Sequence, residues 1–154
     1  MEKIQVIRGF YEAFKISDAE AMVSHYHEDA EFSDPAFVGL KGEEVKNMWR
    51  MLIERGKGQL QIEYSDIREE GNKVYAHWEA KYLFSQTSRE VHNKIDAQFE
   101  FKDGKIIKHT DNFDFWKWSA MALGNTGKLL GWSPLVKNKV RKQCRYLLDN
   151  YNKG

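Results

Sequence analysis

The sequence predicts an α+β fold. N-terminal helices pack on one face of a curved antiparallel sheet, and an amphipathic helical tail follows. Three observations predict it. Apolar residues in the first third recur at helical spacing. From residue 60 the period switches to two and holds through successive segments. An Asp-Gly pair at 103–104 then separates the last two of those segments, and Asp-Gly is a strong hairpin signal.

The elements follow in order. Residues 2–15 place Ile4, Ile7, Tyr11 and Phe14 on one helical stripe, with Phe10 beside it. A short helix comes next, with Asp18 as its N-cap and Ala21, Met22 and Tyr26 as its apolar face. AEFSDP (30–35) reads as a short strand ended by proline. KGEEVKNMWRMLIERG (41–56) is a third helix, with Val45, Met48, Trp49, Leu52 and Ile53 inward and Gly56 as its stop. LQIEYSDI (60–67) then alternates. VYAHWEAKYLF (74–84) sets Val74, Ala76, Trp78, Ala80, Tyr82 and Phe84 on one face. VHNKIDAQFEF (91–101) does the same with Val91, Ile95, Ala97, Phe99 and Phe101. After the turn at 102–105, IIKHTDNFDFW (106–116) returns with Ile107, His109, Asp111, Phe113 and Phe115 on one face. A short apolar segment (118–132) leads to a basic amphipathic helix that starts at Pro134, a good first helical residue.

A chain of 154 residues suits one domain, and 42% hydrophobic with 14% aromatic content is enough to bury a core, which excludes a disordered chain. No apolar run approaches the ~18 residues of a membrane helix. The amphipathic start MEKIQVIRGFYEAF has neither the basic beginning nor the apolar stretch of a signal peptide, so a cytoplasmic protein is expected. Cys144 stands alone and is expected to be a reduced thiol. Residues 128–154 hold seven cations and one acid, a net +6, so the rest of the chain carries −5. The tail's apolar stripe, including Leu135, Val136, Val140, Leu147 and Leu148, is expected to lid a pocket or dock on a second subunit rather than lie on an anionic membrane. No phosphate-binding glycine loop is present. Basic residues without interleaved exposed aromatics make a poor nucleic-acid surface, so nucleic acid is not an expected partner.

Four stretches, FYEAF, AEAMVSHYHEDAEFSDP, GLKGEEV and FKDGKIIKHTDNFDFWKW, fall in order over residues 10–118. In them the chain resembles the nuclear transport factor 2-like superfamily, which includes ketosteroid isomerase, limonene epoxide hydrolase and the SnoaL-type polyketide cyclases. The resemblance implies a cone-shaped domain over residues 1–133, with residues 134–154 as a helical tail packed on or beside it. It also implies a mostly apolar pocket at the wide end of the cone. It does not imply one reaction, because this fold hosts many functions.

The resemblance sorts the polar residues. Asp34, in FSDP, matches the general-base aspartate of ketosteroid isomerase-like proteins, and a carboxylate at an apolar pocket is poised for base chemistry. The rest of that constellation is missing. Phe10 stands where the family's oxyanion-binding tyrosine belongs, and Ala97 where its second acid belongs, with Asp96 one residue out of phase. The arginine and aspartate of the epoxide hydrolases are matched by Trp78 and Ala80, which can do neither job. His109 and Asp111 resemble the His-x-Asp pair of the SnoaL-type cyclases, in which the aspartate is the acid/base group. On a strand the two side chains lie about 7 Å apart, near enough for one substrate or water to bridge them. His77, Glu79, His92, Lys94, Asp96 and Glu100 fall on the opposite, convex face and read as cross-strand polar pairs or a dimer face.

The candidate catalytic residues are therefore Asp34, His109 and Asp111. The candidate ligand-binding residues are Phe10, Tyr26, Trp49, Trp78, Tyr82, Phe99 and Phe113, an aromatic set suited to a small apolar ring-bearing molecule. No metal or organic cofactor is expected, and a homodimer through the convex face is. Three readings stay open. One is a cofactor-independent acid/base isomerase, cyclase or hydrolase. The second is a non-catalytic small-molecule-binding protein, and the third a peripheral interaction module acting through the basic tail.

Overall fold

The computed structural model describes residues 2–56 and 58–153. Helices α1 (Glu2–Lys15) and α2 (Ala19–Val23) lead into strands β1 (Tyr26–Ser33) and β2 (Leu40–Lys41), then helix α3 (Glu43–Gly56). Strands β3 (Gln61–Glu70), β4 (Lys73–Phe84), β5 (Arg89–Lys102) and β6 (Lys105–Asn112) follow, then helices α4 (Phe115–Leu123), α5 (Asn125–Leu130) and α6 (Pro134–Lys153). The sheet runs β2-β1-β6-β5-β4-β3. β1 is parallel to β6, and every other neighbouring pair is antiparallel. Irregular registers in β1, β3 and at the β5–β6 pairing bend the sheet into an open curve.

Alternation decides which face is inside. Along β4, Val74, Ala76, Trp78 and Ala80 are buried, and along β5, Val91, Asn93, Ile95, Ala97 and Phe99. Helix α1 lies over this face with Ile7, Phe10, Tyr11 and Phe14 buried. The turn at Asp103 (φ 53°) and Gly104 (φ 78°) has positive φ at both central residues, as a tight hairpin requires. A Cβ on Gly127 would meet the Ser119 carbonyl oxygen at 1.9 Å, so only glycine lets α5 fold back this closely on α4.

Three elements differ from the sequence expectation. Tyr26 begins a strand instead of closing a helix. Helix α2 stops at Ser24, and Tyr26 and the following residues pair with β6. The last strand ends at Asn112 rather than 116, because the Asp114 side chain caps α4 by accepting from the Lys117 backbone N–H at 3.0 Å. Ile107 is skipped where Glu100 pairs with Lys108 and Phe101 with Ile106. That bulge puts Ile106, not Ile107, in the core, while His109 and Asp111 keep their inward phase.

The tail is part of the same body. Leu148 of α6 is buried in the main core, and Asn47 Nδ2 of α3 donates to Asn152 Oδ1 at 2.8 Å. Arg145 pairs with Glu44 of α3. From Val136 to Leu148 the apolar stripe of α6 is therefore spent inward, while Leu135 at its start is exposed.

Two buried hydroxyls, those of Tyr11 and Ser119, lack a hydrogen-bond partner among the described residues. The Tyr11 ring stacks on Tyr64 with centroids 5.3 Å apart. Burial, and to a smaller extent the Asp111 carboxylate, pushes the Tyr11 ionisation well above the ordinary range. Tyr11→Phe keeps the ring and removes its orphaned hydroxyl, so it is expected to raise stability in urea unfolding by about 1 kcal/mol. A loss of that size instead would mean that the hydroxyl has a partner.

Candidate active site

Where α1 stops covering the sheet, the inner face borders a cavity of about 230 Å³. Helix α3 supplies Met48, Trp49 and Leu52 to its wall, the sheet Trp78, Ala80 and Ile95, and α6 Cys144 and Leu147. Asp34, Tyr82, Asn93 and Asp111 interrupt this apolar lining, and the exposed Arg55, Ser85 and Gln86 and half-buried Gln59 also border the cavity.

Asp34 follows the last residue of β1, where Pro35 ends the strand. Its Oδ1 accepts from the backbone N–H groups of Ala36 and Phe37 at 2.7 and 2.6 Å. This small turn fixes the side chain and leaves Oδ2 with no donor among the described residues. Burial pushes the carboxyl up to about 7, and the Asp111 carboxylate adds to the rise. The two N–H donors and Arg141 limit it. Near neutral pH the group is thus divided between its acid and base forms.

Asp111 is held by a directional chain. Trp49 Nε1–H donates to the Tyr26 hydroxyl at 2.8 Å, and Tyr26 Oη lies 2.7 Å from His109 Nδ1. His109 Nε2 lies 2.8 Å from Asp111 Oδ1, and Trp78 Nε1–H reaches the same oxygen at 3.4 Å. An indole N–H can only donate, so the Tyr26 oxygen accepts from Trp49 and its own proton is free for Nδ1. Nε2–H then donates to Asp111. One tautomer of neutral imidazole satisfies every link.

Tyr82 and Asn93 are donors without a protein acceptor. Trp118 Nε1–H donates to the Tyr82 oxygen at 2.9 Å, which leaves the Tyr82 proton for another acceptor. Burial pushes this phenol up to about 12, so it keeps its proton. The Asn93 side chain is 9% exposed and bonds to no other described residue. Burial, with Asp34 nearby, pushes the Cys144 thiol up to about 12, which disfavours the thiolate a nucleophile needs.

The structure divides the residues that the sequence singled out. Asp34, Asp111, Trp49, Trp78, Tyr82 and Phe113 border the cavity. His109 does not: it is 0% exposed, behind Asp111. Phe10, Tyr26 and Phe99 do not border it either. With Phe32 and Trp49 they box the imidazole, the Phe99 ring centroid lying 4.2 Å from that of His109. The cause is Phe10, which projects from α1 onto this half of the sheet and fills the space a ligand would need. Alternation gave the correct side for Phe99 and His109 and not their depth. His109 is accordingly a positioning residue for Asp111. Asn93 went unnoticed in the sequence, although it is the one polar residue among the inward positions from Val91 to Phe99.

A family model described as a SnoaL-like domain matches residues 7–109. No curated protein sequence matches the chain. Among solved structures, a candidate polyketide cyclase from Streptomyces antibioticus, IdmH, is similar at TM-score 0.65 and 20% identity, over 79% of this chain and 98% of that one. An epoxide hydrolase of M. tuberculosis, described as LEH-like, is similar at TM-score 0.62 and 20% identity, over 83% and 94%. TerC, co-crystallised with polyporic acid, is similar at TM-score 0.62 and 18% identity, over 74% and 92%. At these identities the likeness shows a shared fold alone.

Proposed function

This chain belongs to the SnoaL-like domain family, and we propose that it binds a small apolar, ring-bearing molecule in its cavity and moves a proton on it with Asp34 as the base. One observation carries the reading. The apolar cavity holds a carboxyl at about 7 beside two hydrogen-bond donors, Tyr82 and Asn93, that lack a protein acceptor. Donors without a protein acceptor in an apolar cavity are free to bond a ligand oxygen. An apolar cavity of about 150 Å³ takes one benzene ring, so 230 Å³ suits one or two rings.

The chemistry follows from the groups. Asp34 Oδ2 removes a proton from carbon next to a carbonyl of the bound molecule. The electron pair moves to the carbonyl oxygen, where Tyr82 O–H and Asn93 N–H stabilise the growing charge. The protonated Asp34 then returns the proton at the same or a neighbouring atom. Asp111 stays fixed by His109 and holds the Asp34 carboxyl high by its charge. The relatives described as polyketide cyclase and epoxide hydrolase support small-molecule chemistry of this general kind.

The test uses 2-tetralone in heavy water, with exchange at the carbons beside its carbonyl followed by NMR. The wild type is expected to accelerate exchange over buffer, and Asp34→Asn to lose roughly 100-fold of that acceleration or more. Binding of 2-naphthol without any exchange would favour a non-catalytic binding protein. Absence of both would remove the pocket as a ligand site.

A further inference from the structure

With the apolar stripe of α6 turned inward beyond Leu135, several of the exposed large apolar side chains gather between the end of α5 and the start of α6. Leu129 is 72% exposed, Trp132 63% and Leu135 74%, and Trp116 beside them is 51% exposed. They form one patch. Trp116 Nε1–H donates to the Lys128 carbonyl at 3.0 Å, and Trp132 Nε1–H to the Leu129 carbonyl at 2.8 Å. Both indole N–H groups are thereby satisfied by the backbone, and the rings need no water on their polar edge. Four solvent-facing apolar side chains, Trp116 at the start of α4 and three between the end of α5 and the start of α6, exceed the single exposed leucine of an ordinary surface.

The segment that carries the patch is basic, with Asp114, the cap of α4, as the acid just before it. Residues 115–148 contain seven Lys and Arg and no Asp or Glu. Arg145 is committed to Glu44 and Asp149, and Arg141 Nε donates to the Pro35 carbonyl. Lys117, Lys128, Lys139 and Lys142 are exposed and make no ion pair among the described residues. Exposed tryptophan and leucine on a segment with unpaired lysines match a bilayer's acyl boundary beneath anionic headgroups.

We infer that the 129–135 turn docks this protein on anionic phospholipid bilayers, with Leu129, Trp132 and Leu135 entering the interface. A second copy fits the patch poorly, because a two-fold contact would bring two sets of lysines together. Nucleic acid would use the lysines and leave the leucines wet. Among the described residues no helix is long and apolar enough to cross a membrane, so the contact lies on the surface.

The experiment is co-sedimentation of the full chain with vesicles of phosphatidylcholine alone and of an equimolar mixture with phosphatidylglycerol. Binding to the mixed vesicles is expected to be roughly tenfold tighter or more, to weaken as salt is raised, and to shift tryptophan emission to the blue. Combining Leu129→Ser, Trp132→Ser and Leu135→Ser should lower it roughly tenfold with the circular dichroism unchanged, since these side chains support nothing inside. Three results would overturn the inference: no binding to either vesicle, equal binding to both, or wild-type binding by the triple variant. So would light scattering that shows an oligomer which the triple variant dissolves.

Discussion

His109→Phe is expected to lower the stability of the protein by about 3–5 kcal/mol, read as a fall in Tm of roughly 10 °C. The size of the effect comes from polarity rather than volume. Phenylalanine is a little larger than the imidazole, so no cavity opens, and the five rings around it keep their edge-to-face, stacked and tilted contacts after a small shift. What is lost is the middle of the chain. Asp111, 2% exposed, keeps only the 3.4 Å contact from Trp78, and the Tyr26 proton has no acceptor. A carboxylate left buried without its partner is among the costliest defects a core can hold. Adding Asp111→Leu to His109→Phe should recover much of the loss, because the stranded charge is then gone. If His109→Phe alone unfolds within about 1 kcal/mol of the wild type, the chain of hydrogen bonds is not what holds this part of the core.

That chain marks the limit of the sequence. The two-residue period placed Trp78, His109 and Asp111 on one face, and the Asp-Gly hairpin fixed which face it was. The period survived the bulge at Ile107 only because the skipped residue precedes His109. Depth was not legible. Whether an inward side chain meets a ligand or a helix depends on how far α1 reaches along the sheet, and no local pattern encodes that. Phe99 and Ile95 share one strand and one phase, yet Phe99 lies under Phe10 while Ile95 lines the cavity. The tail was legible as amphipathic, but its docking side depends on Glu44 and Asn47, a hundred residues away. Asn93 was hidden for a simpler reason. Its significance lies in the absence of a partner, and partners are a property of the fold.

Asp34→Asn is expected to stabilise the protein, increasingly so as pH rises. In the folded state the carboxyl sits at about 7, against ~3.9 for an exposed aspartate. Between those values the folded protein holds a proton that the unfolded chain has released. The wild type therefore loses stability as pH climbs through that window, and the loss is complete above about 7. Asparagine has no proton to lose. Its side-chain oxygen can still accept from the N–H groups of Ala36 and Phe37, so the turn is kept. The full shift would correspond to ~4 kcal/mol, at ~1.4 kcal/mol per unit. Because Asp34 borders a cavity that water can enter, a widening of about 2 kcal/mol between pH 5 and pH 8 is the expected result in urea unfolding. A second variant separates the causes. Asp111→Asn removes the neighbouring charge and should move the wild-type pH dependence to lower pH without abolishing it, since burial is the larger cause. The same group should govern exchange of 2-tetralone, whose rate should rise with pH to a plateau above about 7 in the wild type. A stability difference between Asp34→Asn and wild type that stays flat from pH 5 to 8 would show that Asp34 ionises as an exposed carboxylate does, and the base of the proposed reaction would have to be sought in Asp111.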